Sequence, residues 1–242
     1  MMSAQNSEFQ EKVQALLKQH KGERIVSFDY ENQRYWLKQP EQLKGVWRLL
    51  KPQPQKAFQN ELKTLQFLAE KNAPVPKLMA FGEDFLVLKD AGKTISYWVD
   101  KPDLSSDGKL AILADGAKAL TDLHKKGLVH GRPALRDMAW HDGKVQFIDF
   151  ESRSNHAKLN WQKVRDSLIF IHSLGRSDCI SDEQMRLTVE KYQQYCEPEI
   201  WQQTQSFIAK NRWLYYLLLP FKPIARMDLI AIYRLFENTP NK

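Results

Sequence analysis

Cysteine is scarce in this chain of 242 residues, which has only Cys179 and Cys196. Two thiols cannot staple a fold of this size. Lying 17 positions apart with no histidine pair nearby, they also make a poor metal site, so both read as reduced packing residues. Long apolar runs are missing as well: the longest, residues 213–219, falls far short of the ~18 residues that span a bilayer, which excludes a transmembrane helix. The N-terminal MMSAQNSEFQEK has neither the basic patch nor the apolar stretch of a secretory signal, so the expected location is the cytoplasm. No repeat or low-complexity tract is visible, and the chain is read element by element.

A basic arm is also absent. The 36 basic and 29 acidic residues, net +7, divide as 14 and 11 over residues 1–90, 11 and 9 over 91–160, and 11 and 9 over 161–242. Only the stretch after Ser206 is biased, with Lys210, Arg212, Lys222, Arg226, Arg234 and Lys242 against Asp228 and Glu237. That spread argues against nucleic acid as a partner. With 43% apolar and 27% charged residues, the composition is that of a soluble globular protein with one large domain or two small lobes.

Periodicity supplies the elements. EFQEKVQALLKQ, residues 8–19, forms a short amphipathic helix ended by Gly22. RIVSFDY and RYWLKQ are alternating strands joined through Glu31-Asn32-Gln33, a hairpin signal. Pro52 and Pro54 close a loop before a helix over residues 55–71, whose apolar stripe is Phe58, Leu62, Leu65, Leu68 and Ala69. After Pro74-Val75-Pro76, KLMAFG and FLVLKD form a second strand pair around Gly82-Glu83-Asp84. Residues 106–126 are helical, with Leu110, Leu113, Ala117 and Leu120 on one face and Gly127 as the C-terminal cap. Two short strands, MAWHDG and KVQFIDF, come next, and from Trp161 onward the pattern is helical. The spacing predicts an α+β chain of two parts: a β-rich lobe with one helix interrupting its strands over residues 1–91, and a helical lobe over 92–242.

The densest group of chemically active residues is HGRPALRD, followed by IDFE with Asp149 twelve positions after Asp137. This pairing resembles the HxDxxxxN catalytic loop and the DFG metal-binding motif of the protein-kinase-like superfamily. Within it the chain is most similar to small atypical kinases, the lipopolysaccharide core Kdo and heptose kinases and the InaA-like proteins, over roughly residues 24–175. The resemblance implies a bilobal α+β fold with ATP in the cleft. It further implies Lys38 on the nucleotide phosphates, Glu61 as its partner, and Asp137 and Asp149 as magnesium ligands. The implied activity is ATP- and magnesium-dependent phosphate transfer to a hydroxyl, on a lipopolysaccharide core sugar or a similar acceptor.

The residues carry part of this on their own. Glu61 falls between Leu68 and Leu65 on the helical wheel, where a carboxylate needs a cation unless it reaches solvent at the stripe edge. Asp149 ends a run expected to be largely buried, and either holds a cation or caps a turn. Arg132 stands where the motif has its acceptor-orienting aspartate, and a guanidinium takes no proton at neutral pH. Two readings stay open: a transferase that works by positioning and charge, with Arg132 near the phosphate or salt-bridged to a carboxylate, and a nucleotide-binding pseudokinase without turnover. A third, a basic surface-binding protein that has lost the nucleotide, leaves Glu61 and Asp149 unexplained. His130 reads as a structural hydrogen-bonding residue, and Asp166 as an acceptor for loop backbone. A glycine-rich phosphate loop is absent, because only Gly22 precedes Lys38. RWLYYLLLPFKPIARMDLIAIYRLF, near the C-terminus, is expected to be a core helix pair with a proline-bent link; peripheral contact with the inner membrane is the alternative.

Overall fold

The computed structural model describes residues 4–41, 54–150 and 155–239. Pro52, Glu151 and Lys242 lie outside the described residues. The chain divides into two compact units, Met1–Ala91 and Gly92–Lys242.

In the first unit, α1 (Ala4–Gln19) precedes β1 (Ile25–Tyr30) and β2 (Gln33–Lys38), and α2 (Pro54–Glu70) precedes β3 (Leu78–Phe81) and β4 (Leu86–Lys89). The β1–β2 turn is the pair Glu31-Asn32, both at positive φ (47° and 60°), a conformation whose twist suits a two-residue hairpin. All strands pair antiparallel in the order β1-β2-β4-β3. The alternation of side chains gives the sheet two faces. Val87 of β4 joins Tyr35 and Leu37 of β2 under Phe9 and Val13 of α1. Leu86 and Leu88 pack instead against Phe58, Leu62 and Leu65 of α2. β4 is therefore apolar at three successive positions because both of its faces are covered. Ala69, placed on the α2 stripe by periodicity, is exposed.

The second unit opens with β5 (Lys93–Thr94) and α3 (Ile95–Val99). Then come α4 (Ser106–Lys125), β6 (Met138–His141), β7 (Lys144–Phe147) and five further helices: α5 (Leu159–Gly175), α6 (Asp182–Tyr195), α7 (Pro198–Lys210), α8 (Arg212–Leu218) and α9 (Asp228–Asn238). The α4 terminus is a Schellman motif: Gly127 (φ 71°) donates to His124 O at 2.9 Å and Leu128 donates to Leu123 O at 3.3 Å. α6 begins with a capping box between Ser181 and Gln184, and Gln184 reaches across to Ser106 Oγ at 3.1 Å, tying α6 to the start of α4. β6 and β7 turn at Asp142-Gly143, both at positive φ. The helical tail is broken by a 3-10 turn, Leu219–Ile224, which carries Pro220 and Pro223. The segment expected as a core pair differs from that expectation: α9 buries Ala231, Tyr233, Leu235 and Phe236, whereas α8 and the 3-10 turn bury nothing.

The two cysteines separate. Burial pushes the Cys196 thiol up to about 11, which keeps it a protonated packing group. Cys179 is exposed, so the packing role expected for it is corrected.

Arg234, one of the basic residues after Ser206, is a structural group. Its guanidinium donates to the carbonyls of Gly175 (3.0 Å), Ser177 (2.9 Å) and Ile180 (2.5 Å) and, through Nε, to Asp182 at 2.7 Å. A fixed cation thereby satisfies carbonyls at and just beyond the α5 C-terminus, where the helix dipole is negative. Beside it Gly175 lets α5 approach α9 closely, since a Cβ there would lie 3.1 Å from Ala231 O. Arg234→Lys loses the planar fork that reaches three carbonyls at once. Both Arg234→Ala and Arg234→Lys are expected to destabilise the protein by about 2–3 kcal/mol. Chemical denaturation of purified variants checks this, and the lysine variant should recover less than half of the loss.

Candidate active site

Lys38 is the last residue of β2, and the period of the strand puts it on the same face as Trp36, opposite Tyr35 and Leu37. That is the face covered by α2, and Lys38 Nζ donates to Glu61 Oε1 at 3.0 Å. Both side chains are half-buried, so water screens the pair in part and its worth lies mainly in holding the ammonium in place. Glu61 thus answers the stripe problem by pairing.

In the second unit the loop containing His130 is fastened from below. Asp166 on α5 is fully buried and accepts from the His130 backbone N–H at 2.7 Å through one carboxylate oxygen and from the Gly131 N–H at 3.0 Å through the other. Arg165, its neighbour, donates to Gly131 O at 3.2 Å. Gly131 sits at φ 98°, and the chain turns there into the Pro133 segment. The ring of His130 is committed at both nitrogens. Nε2 lies 2.9 Å from Ile148 O, which can only accept, and Nδ1 lies 3.2 Å from the Arg132 N–H, which can only donate. The ring is therefore the neutral Nε2–H tautomer.

Those bonds fix the backbone just beyond β7. The Ile148 N–H donates to Asp137 O at 2.9 Å while its carbonyl accepts from His130. Phe150 stacks on the His130 ring at 4.5 Å between centroids. Asp149, between two restrained neighbours, adopts φ 57°, a left-handed conformation that costs a residue with a Cβ on the order of 1 kcal/mol. Its carboxylate is exposed, which corrects the expectation that burial would force a cation on it. The burial alternation of β7 ends at Phe147 and Ile148 is only half-buried. Strained, exposed and held from both sides, Asp149 is presented rather than enclosed.

Asp137 is the buried member, with its side chain 5% exposed at the end of the short 3-10 turn Leu135–Asp137. Arg132 Nε lies 3.6 Å from one of its oxygens and Arg136 Nε 3.9 Å from the other, distances of ion pairing rather than hydrogen bonding. Arg132 and Arg136 also line a cleft of about 540 Å³ with Ser96, Asp100, His172 and Arg176. Asp137 and Asp149 carry the donor type that magnesium takes in ones or twos, but the arginines beside both Asp137 oxygens compete with a cation there. Among the described residues no cluster of three or more histidine, cysteine, aspartate or glutamate side chains forms a self-contained metal cage.

No protein-family model matches the chain. It is 53% identical over 232 residues to a Haemophilus influenzae protein named "Uncharacterized protein", covering 96% of each chain. It belongs to one family with that protein. WaaP, in a solved complex with acyl carrier protein, aligns over 86% of this chain and 91% of its own with a TM-score of 0.53 and 16% identity. The fold is protein-kinase-like. A ternary complex of streptomycin, ATP and APH(2")-IIa aligns at a TM-score of 0.38 and 13% identity, over 95% of this chain and 99% of its own.

The structure brings together Lys38 with Glu61, and Arg132 with Asp137, whose backbone is bonded to the residue before Asp149. Three participants escaped the sequence reading. His124, buried at 2% exposure, puts Nε2 3.4 Å from Asp166 Oδ2. Its position four after Leu120 on the α4 stripe was the available signal. Arg136 and Arg165 carried none beyond adjacency to the two aspartates.

The carboxylate of Asp166 carries the loop. Asp166→Ala leaves two buried N–H groups without acceptors, at about 1–3 kcal/mol each. The variant is expected to melt well below the native protein and to show fast amide exchange at His130 and Gly131. Protection that stays at native levels in a folded variant contradicts the assignment.

Proposed function

We propose that the chain is an ATP- and magnesium-dependent phosphotransferase that acts on a hydroxyl acceptor, most simply a lipopolysaccharide core sugar. The observation that carries this reading is the clamped left-handed turn at Asp149, where the restraints on Ile148 and Phe150 hold an exposed carboxylate outward. Lys38, steadied by Glu61, grips nucleotide phosphates. Asp137 and Asp149 hold magnesium, which when bound neutralises phosphate charge. Protein kinases use aspartate to orient the acceptor; here Arg132 supplies charge and hydrogen-bond donors instead. In a loose transition state the hydroxyl proton leaves late, passing to an oxygen of the transferred phosphoryl group or to solvent, so positioning and charge suffice without a side-chain base. The cleft beside Arg132, with Arg136, Arg176 and the Ser96 edge, is the acceptor site. The site of action is the cytoplasm, with peripheral contact at the inner membrane where a lipid-linked acceptor is found, and nucleic acid is not a partner. Among the described residues no helix is long and apolar enough to cross a membrane.

A second reading, nucleotide binding without turnover, is favoured by one observation. Asp137 already has guanidinium groups near both of its oxygens, and a divalent cation there meets their repulsion.

A transfer assay with γ-labelled ATP, offering core lipopolysaccharide, a generic protein and water side by side, separates the readings. The proposal expects label on the lipopolysaccharide. It also expects Arg132→Ala to lower turnover on the order of 10²-fold at unchanged nucleotide affinity. Label on none of the three, together with transfer gained by Arg132→Asp, establishes the second reading.

A further inference from the structure

Of the thirteen large apolar side chains exposed among the described residues, eight lie within residues 207–227. Trp213 (61% exposed), Tyr216, Leu217, Phe221, Ile224 (74%) and Met227 dominate this strip, and neither α8 nor the 3-10 turn after it buries a single residue. The segment is nonetheless anchored. Tyr233 Oη donates to Leu218 O, and Tyr215 Oη donates to Glu237 at 2.8 Å. Lys222 donates to the same Glu237 oxygen at 2.5 Å, and Pro220 and Pro223 set the turn. The outward aromatics are therefore displayed by a structured backbone, and exposed apolar side chains concentrated in one short segment mark a contact site.

Charge names the occupant. Residues 200–227 contain no aspartate or glutamate and four cations, Lys210, Arg212, Lys222 and Arg226. Arg212 Nη1 is buried without a hydrogen-bond partner, its guanidinium lying 6.0 Å from the Tyr215 ring. A second copy of the chain laid on this face in a two-fold contact would set like charges against each other. An acidic lipid surface meets both halves of the pattern. Trp and Tyr suit the headgroup level, Leu217, Phe221 and Ile224 suit the acyl boundary, and the exposed Lys210 and Arg226 suit lipid phosphates, Lys222 being paired with Glu237. Seven residues of α8 cannot span a bilayer, so the fit is to its surface.

We infer that residues 207–227 form a monotopic docking surface that seats the protein on an anionic phospholipid bilayer. This deepens the membrane contact named in the proposed function, and Met227 at the end of the strip also lines the cleft beside Arg132; vesicle binding is read without any transfer assay, so it fails or holds separately from phosphotransfer.

Flotation of the full chain with phosphatidylcholine vesicles, and with vesicles containing phosphatidylglycerol, tests it. Binding to the anionic vesicles is expected to be on the order of tenfold to hundredfold tighter and to weaken with salt. Arg226→Glu should lower it about tenfold. The double variant Phe221→Ser, Ile224→Ser should abolish it while the melting temperature stays native, since both side chains are already in water. Equal recovery on both vesicle types overturns the inference, as does undiminished binding by the double variant. Light scattering that shows a dimer dissolved by the same substitutions would assign the surface to a second copy and equally overturn it.

Discussion

A single buried carboxylate, Asp166, holds the loop at His130 and Gly131 in shape. It accepts from two successive backbone N–H groups, those of His130 and Gly131, in surroundings where an unpaired charge or an unpaired N–H is costly. From that anchor the order is mechanical. The placed backbone sets the His130 ring, the ring holds Ile148 and packs Phe150, and the residue between them, Asp149, is left in a left-handed turn facing outward. The strain at Asp149 is small beside the hydrogen bonds that impose it, so it persists.

Asp137 likewise serves twice: its backbone carbonyl supports Ile148 while its side chain lies between two arginines. The Arg132 and Arg136 guanidinium groups balance the charge of the buried Asp137 carboxylate. Lys38 and Glu61 obey simpler rules, strand alternation and helix periodicity, which put both on the side of the sheet that α2 covers.

Much of this was legible in the sequence. The hairpin at Glu31-Asn32, the glycine cap at Gly127 and the inward lean of Glu61 are local signals, and local geometry honours them. Asp166 was readable as a backbone acceptor because its carboxylate interrupts an apolar helix. The exposure of Asp149 was not readable: an alternating run tells which residues are buried but not where a hairpin stops, and β7 stops two residues before it. The five-residue α3 is too short for periodicity to reveal. Apolar spacing in residues 212–227 suggested a core because pattern records amphipathicity without recording what covers it. The solved WaaP structure shares the fold at low identity, and the family shared with the Haemophilus protein extends over nearly the whole chain.

The central claim is that this arrangement receives a metal-bound nucleotide, and a thermal melt with and without magnesium and ATP tests it most directly. A ligand that binds only the native state at about a hundredfold excess over its Kd adds about 2.7 kcal/mol, which for a chain of this size raises Tm by about 5–10 °C. The account predicts that rise with magnesium and ATP together, and its loss in Asp149→Asn. A native protein whose Tm is unmoved by millimolar ATP or ADP with magnesium would contradict it.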